Sequence, residues 1–396
     1  MNAPTPQASP GPLDRLDRLE RYLQDDPQNL VLLADAFETA LRAGAIDRAE
    51  FHLRHGQALK QDADTWAWRE AHWLLAQHRF ADARAVLARL RDAGPQALPL
   101  QASVAHDLAY VDLREGRHAE GAEALRPWLD RPDLAGAPRA AIQALWLRLM
   151  HRAGHLDEAL QWARPRIEQG ALAPEALGVA SLMALDDEDA VASHQWAEAA
   201  LRQQGVCPEA LVARASTALA QRDVRTAREL LGHALARHPG DGRTLSALGF
   251  CELLERRWDA ARHAFERALA AIPEHVGTWH GLGWTALSAG DVAGARRAFE
   301  EALARDRNFA ESHGALAVVQ ALAGETDAAR TSIERALRLD PKSLAPRYAQ
   351  AVIDGEARDL PALRRLARRT LANRPAPLGG SMVELLGLVD DDGPAA

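Results

Sequence analysis

The sequence predicts an all-α fold, a row of antiparallel helix pairs, and three observations carry that prediction. First, a small residue recurs at a fixed interval. Ala329, Ala295, Ala261, Ala227, Ser193 and Ala159 lie 34 residues apart, two steps of 38 lead to Gly121 and Ala83, and a step of 34 reaches Ala49. Second, each interval contains two stretches of apolar residues with a period of about 3.6, broken near the middle by glycine or a polar turn, as at Gly44, Gly116, Gly154, Gly290 and Gly324. Third, Pro239, Pro273 and Pro341 mark passages between units. Proline cannot prolong a helix but can open the next one. At 396 residues the chain exceeds what one ordinary core supports, whereas a row of units buries each apolar face on its neighbours and can be any length.

The elements follow in order. Residues 1–12 have no apolar period and are expected to be disordered. Residues 13–27 read as a capping helix, with Leu13, Leu16, Leu19 and Leu23 on one face and a turn at Pro27. From 28 to 205 the helix pairs keep the interval but diverge in detail, and from 206 to 343 they are regular. Residues 344–389 are expected to hold a degenerate tenth pair, with Pro375 34 residues after Pro341, and a terminal cap in 381–389. A disordered tail is expected from 390 to 396. The extra length of the two 38-residue steps falls in 91–101 and 130–140, and is expected to lengthen surface loops that could rim a binding face.

The regular stretch carries a specific resemblance. One unit has Trp279, Leu282, Gly283, Ala295, Phe299 and Ala302. The unit before it has Leu245, Leu248, Gly249, Ala261, Phe265, Ala268 and Pro273, and the unit after it Leu316, Ala317, Ala329, Ile333, Ala336 and Pro341. This 34-residue pattern resembles the tetratricopeptide repeat. The resemblance implies a right-handed superhelical solenoid of about nine to ten helix pairs. Small residues let paired helices cross closely, and the aromatic fills the groove toward the next unit.

Composition excludes several function classes. The 47 basic and 55 acidic residues leave a net charge of −8, which offers no general attraction to nucleic acid or an anionic membrane surface. No apolar run approaches the roughly 20 residues that span a bilayer. The N-terminus has no basic and apolar leader, so a cytoplasmic location is the default expectation. Lys60 and Lys342 are the only lysines, an arginine bias that fits a GC-rich, bacterial genome. Cys207 and Cys251 form no CxxC pair and read as small core residues.

No catalytic or cofactor chemistry is expected. The pairs His52/His55 and His151/His155 lack a third ligand of suitable spacing, so no metal is expected. The glycines of the segment 280–283 lie inside a predicted helix and follow no strand, so tight packing accounts for them better than a phosphate loop. The acidic run Asp186, Asp187, Glu188 and Asp189 falls at a turn, where it caps the following helix. Arg364, Arg365, Arg368 and Arg369 read as the solvated face of the last pair, with an anionic partner site as the alternative.

The resemblance implies a protein or peptide partner, held on a concave face by the first helix of each unit. Transferred residue by residue, it places Arg243, Ser246, Phe250 and Leu253 there, then Gly277, His280, Trp284 and Leu287, then Glu311, Gly314, Val318 and Ala321. Toward the N-terminus it suggests Trp68 and His72, His106 and Tyr110, and Arg148. The Lys and Asn pattern that grips a C-terminal carboxylate in some family members does not occur at these places. Phe250, Trp284 and Val318 point instead to an apolar segment. The expected function is therefore a non-catalytic interaction scaffold. The alternatives are an accessory or chaperone-like subunit of a bacterial secretion or envelope-assembly complex, and a structural protein that associates weakly with itself through its ends.

Overall fold

Every regular element among the described residues is helical. The computed structural model describes residues 11–94, 96–205, 207–356 and 360–371. The expectations for 1–10, for Pro375, for the cap at 381–389 and for the tail lie outside the described residues.

The chain divides into two units, Met1–Ala176 and Leu177–Ala396. The first opens with α1 (Pro12–Asp25), which buries Leu16, Leu19 and Leu23 as its leucine spacing requires. Leu13, expected on the same face, is exposed. Helix pairs follow: α2 (Leu30–Arg42) with α3 (Ile46–Ala58), α4 (Ala63–Ala76) with α5 (Phe80–Asp92), α6 (Leu98–Arg114) with α7 (His118–Leu125), and α8 (Gly136–Ala153) with α9 (Leu156–Glu168). The division into units falls inside α10 (Pro174–Asp186), which pairs in sequence with α11 (Ala190–Gln204). The second unit continues with α12 (Pro208–Ala220) and α13 (Val224–Arg237), α14 (Gly242–Leu254) and α15 (Trp258–Ala271), α16 (Val276–Ser288) and α17 (Val292–Arg305), α18 (Ala310–Leu322) and α19 (Thr326–Leu339), and α20 (Ala345–Ile353) and α21 (Leu360–Leu371).

The recurrent small residue lies in the second helix of each of the first nine pairs. Ala49, Ala83, Ala159, Ser193, Ala227, Ala261, Ala295 and Ala329 are all at 0 % exposure. Gly121, the remaining member, is so tightly enclosed that an added Cβ would lie 2.9 Å from the Asp112 side chain and 3.1 Å from Leu149. Within each pair the turn between helices uses one left-handed residue. It is glycine at 44, 116, 154, 290 and 324, but His78, Glu188, Arg222 and Arg256 take the same conformation, with φ of 60–61°. A non-glycine residue there costs about 1–2 kcal/mol, so the turn is imposed by the packing of the two helices it joins. Aspartates 189, 223, 241 and 291 cap the helices that follow them, each accepting from a backbone N–H three residues on. The expected role of the acidic run thus falls to Asp189.

The extra length of the two longer steps is not confined to loops, contrary to expectation. Much of it becomes helix: α6 has 17 residues and α8 has 18, where the other first helices before α20 have 13 or 14. Pro99 and Pro138 sit in the first turns of α6 and α8, where a missing N–H costs nothing.

Aromatic residues on the second helices fill the grooves between successive first helices. Phe265 and Phe299 are fully buried. An added Cβ on Gly249 would meet the Phe265 ring at 2.6 Å, one on Gly281 would meet it at 2.4 Å, and one on Gly283 would meet the Phe299 ring at 2.4 Å. Both glycines of segment 280–283 are therefore packing residues, as expected. Gly283→Ala separates two effects of opposite sign. Helix propensity alone would add about 1 kcal/mol of stability, whereas displacing the enclosed Phe299 ring costs about 1–3 kcal/mol. A net loss in urea unfolding is the expected result.

Two buried carboxylates join successive pairs in the same way. Arg84 of α5 bonds Asp112 at 2.7 Å and Glu115 at 2.9 Å, and Arg117 bonds both of those carboxylates. In the second unit Arg228 bonds Glu252 at 2.5 Å and Glu255 at 2.7 Å, and Arg257 again bonds both. Burial alone would raise the pKa of Glu252, but the two guanidinium groups hold it below the usual carboxylate value. Cys207 and Cys251 are buried free thiols, and burial pushes Cys251 up to about 11.

Candidate functional site

The first helices of the first unit bring three of the expected residues onto one carboxylate. Trp68 and His72 lie one turn apart on α4, so both side chains emerge on the same face, and the next first helix, α6, carries His106 and Asp107. Trp68 donates from Nε1 to Asp107 Oδ2 at 2.7 Å, and His72 Nε2 lies 2.8 Å from the same oxygen. His106 Nδ1 lies 2.9 Å from Oδ1. The indole and imidazole rings of Trp68 and His72 are tilted together, with centroids 4.2 Å apart.

Asp107 is buried, while His72 and His106 keep about a third of their side chains open to solvent. Burial alone would raise the Asp107 pKa, but hydrogen bonds and positive charge from His106 and His72 outweigh it and hold the carboxyl well below its ordinary range. A carboxylate has no proton to give, so each imidazole nitrogen facing it carries the hydrogen. That fixes the rings and turns His72 Nδ1 and His106 Nε2 away from Asp107. Sequence reasoning found the two histidines and the tryptophan but missed the carboxylate that organises them. A signal existed: Asp107 is the one charged residue between Gln101 and Val111, in an otherwise apolar stretch of helix.

Tyr110 and Arg148 continue the row that begins at His72, each 38 residues after the last, and both are half-buried. In the second unit Arg243 reaches from α14 past α12 to Asp186 at the end of α10, with contacts of 3.1 and 2.5 Å. Phe250 is half-buried and sets its ring edge-on to Phe265, with centroids 5.0 Å apart, and Trp284 does the same to Phe299 at 5.3 Å.

His280 and Val318 depart from expectation. Val318 is at 0 % exposure, packed with Ala317, Ile333 and Ala349, and offers no surface to a ligand. His280 is buried, bonded to Ser312 Oγ at 2.8 Å and enclosed by Phe299 and Phe309. The physical reason is that a first helix here is covered on several sides: by its own partner, by the partner of the preceding pair, and by neighbouring first helices.

Among the described residues no group of three or more His, Cys, Asp or Glu is arranged to hold a metal ion, and no helix is long and apolar enough to cross a membrane. Arg369 of the basic stretch on α21 pairs with Glu356 at 2.6 Å.

Stacked helix pairs with a short repeat define the class of α-helical repeat proteins. Residues 240–308 and 280–343 match two family models, each described as tetratricopeptide repeat, and over 240–343 the chain is a tetratricopeptide-repeat protein. No curated protein matches it in sequence. Among solved structures, the APC/C hetero-tetramer Cut9–Hcn1 is similar at 13 % identity and a TM-score of 0.50, with 91 % of this chain and 75 % of that one covered. A monomeric mutant of IFIT1 with m7Gppp-AAAA is similar at 15 % identity and a TM-score of 0.52, with 91 % and 88 % covered. At such identities the likeness speaks for the fold alone.

Proposed function

We propose that the chain is a non-catalytic adapter that binds a protein segment on the first-helix surface of its helix pairs. The observation that carries this reading is the set Trp68, His72, His106 and Tyr110. These are aromatic and polar side chains, half-open to solvent, on consecutive helices of a rigid stack, where such residues make effective anchors for a partner. In the second unit Phe250 and Trp284 supply the apolar counterpart. A photo-crosslinking amino acid placed at Tyr110 tests the reading against one at Phe51, an exposed residue of the second helix α3. Adducts with a defined partner segment at Tyr110 and none at Phe51 are the expected result. Adducts of equal yield at both positions, or at Phe51 alone, reject it.

A second reading, self-association, is favoured by the exposure of Val31 (78 %) and Phe51 (66 %) near the N-terminal end. Sedimentation equilibrium decides it, since a mass that does not change with concentration excludes this reading.

A further inference from the structure

We propose that Asp107 and its three donors form a recognition site for a cationic side chain, a lysine or arginine of the partner segment, and that protons compete with it. The proposal rests on the adapter reading and gives its first-unit surface a ligand chemistry.

The starting point is charge. Three acidic residues among the described ones are buried: Asp107, Asp112 and Glu252. Asp112 and Glu252 each bond two arginines. Asp107 bonds none, and its three donors are one indole and two imidazoles. Trp68 is never charged, and neutral imidazoles carry no compensating charge. A buried carboxylate without a cation is an unusual arrangement, because desolvated charge is ordinarily paired. Its negative charge therefore remains to be balanced from outside.

The geometry shows how. With one nitrogen of each ring committed to Asp107, His72 Nδ1 and His106 Nε2 are lone-pair acceptors in the neutral rings. Both side chains are about one-third exposed, so these acceptors are reachable. Trp68 adds a half-buried indole face, which attracts ammonium and guanidinium groups. Acceptors, an aromatic face and an unbalanced negative charge together suit a cation.

Other charged groups around the site are committed elsewhere. On α4, Arg69 turns to Glu38, and Glu70 turns to Gln57 and Arg54 of α3. Asp112 of α6 is held by Arg84 of α5 and by Arg117. Tyr110 and, on α8, Arg148 share the row of His72. When both imidazoles take up protons, the cluster changes from net negative to net positive and its outward acceptors become donors. A lysine is then repelled.

The test uses the full chain and a fluorescein-labelled hexalysine peptide, with hexaglutamate as the opposite probe. Anisotropy is read at about pH 8 and about pH 5.5, on either side of the ordinary imidazole pKa of about 6.5. The expected result is hexalysine binding at least about ten-fold tighter at the higher pH. His72→Gln/His106→Gln, which keeps a side-chain amide at each place but cannot titrate, removes that pH dependence. Asp107→Asn, with its helical circular dichroism retained, weakens binding by about ten-fold or more. Glu334→Gln, a change at an exposed carboxylate of α19, does not.

Full-strength hexalysine binding by folded Asp107→Asn overturns the proposal, and so does preferential hexaglutamate binding at the lower pH. If Asp107→Asn does not fold, the histidine pair decides: a steep pH dependence surviving in His72→Gln/His106→Gln overturns the proposal. Crosslinking at Tyr110 fails separately, so loss of the adapter reading and loss of the cation site are distinguishable.

Discussion

Phe299→Ala is expected to lower the unfolding free energy of the second unit by about 3–5 kcal/mol, the usual range for deleting a buried phenylalanine. The ring is at 0 % exposure and no partner can collapse easily into the space it leaves. On one side is the glycine notch at Gly283, and on the others are Trp284 and His280, with ring centroids 5.3 and 5.6 Å away. All three belong to α16, so the ring holds α17 to its partner helix. In a stack stabilised by nearest neighbours, a weak interface also loosens cooperativity. Urea unfolding followed by circular dichroism should show both an earlier midpoint and a shallower transition. An unchanged midpoint would mean that Phe299 does not hold the pair together.

The second large effect is a loss of stability in acid. Burial lowers the pKa of His280 from 6.5 to about 4. The unfolded chain therefore binds more protons than the folded one between those values, and stability falls as pH falls through that window. The full difference amounts to about 3 kcal/mol. Burial also depresses His52 in the first unit, against the pull of Glu20, and acts with the same sign. Above about pH 6.5 neither group contributes a slope. His280→Gln can keep a hydrogen bond to Ser312 without titrating. It is expected to flatten the dependence of the urea midpoint on pH between about 6.5 and 4. A slope equal to that of the parent chain would show that other groups govern acid unfolding.

The fold was legible because its rule is periodic. Ala49 and Ala329 obey the same constraint as every small residue between them, and a repeated constraint leaves a repeated residue. The turns were harder to read, since His78, Glu188, Arg222 and Arg256 adopt a glycine conformation without being glycine. The site was legible only in part. Trp68, His72 and His106 stand out as polar or aromatic residues on first helices, but nothing in a linear sequence says that they converge on Asp107. In the second unit the first helices are apolar or small nearly all round, as α16 and α18 show, so no polar stripe marks the open side. His280 and Val318 were misassigned for that reason: a shift of one residue turns a side chain by about 100°.

The two arginine clamps have a consequence for how such a chain gains length. Arg84 with Asp112, Glu115 and Arg117, and Arg228 with Glu252, Glu255 and Arg257, each complete their bonding inside a single junction. A junction that satisfies its own charges makes no demand on distant modules. Duplicating the DNA for one module would copy a ready-made joint along with it, so the array can be extended or shortened in evolution without redesigning what flanks the change.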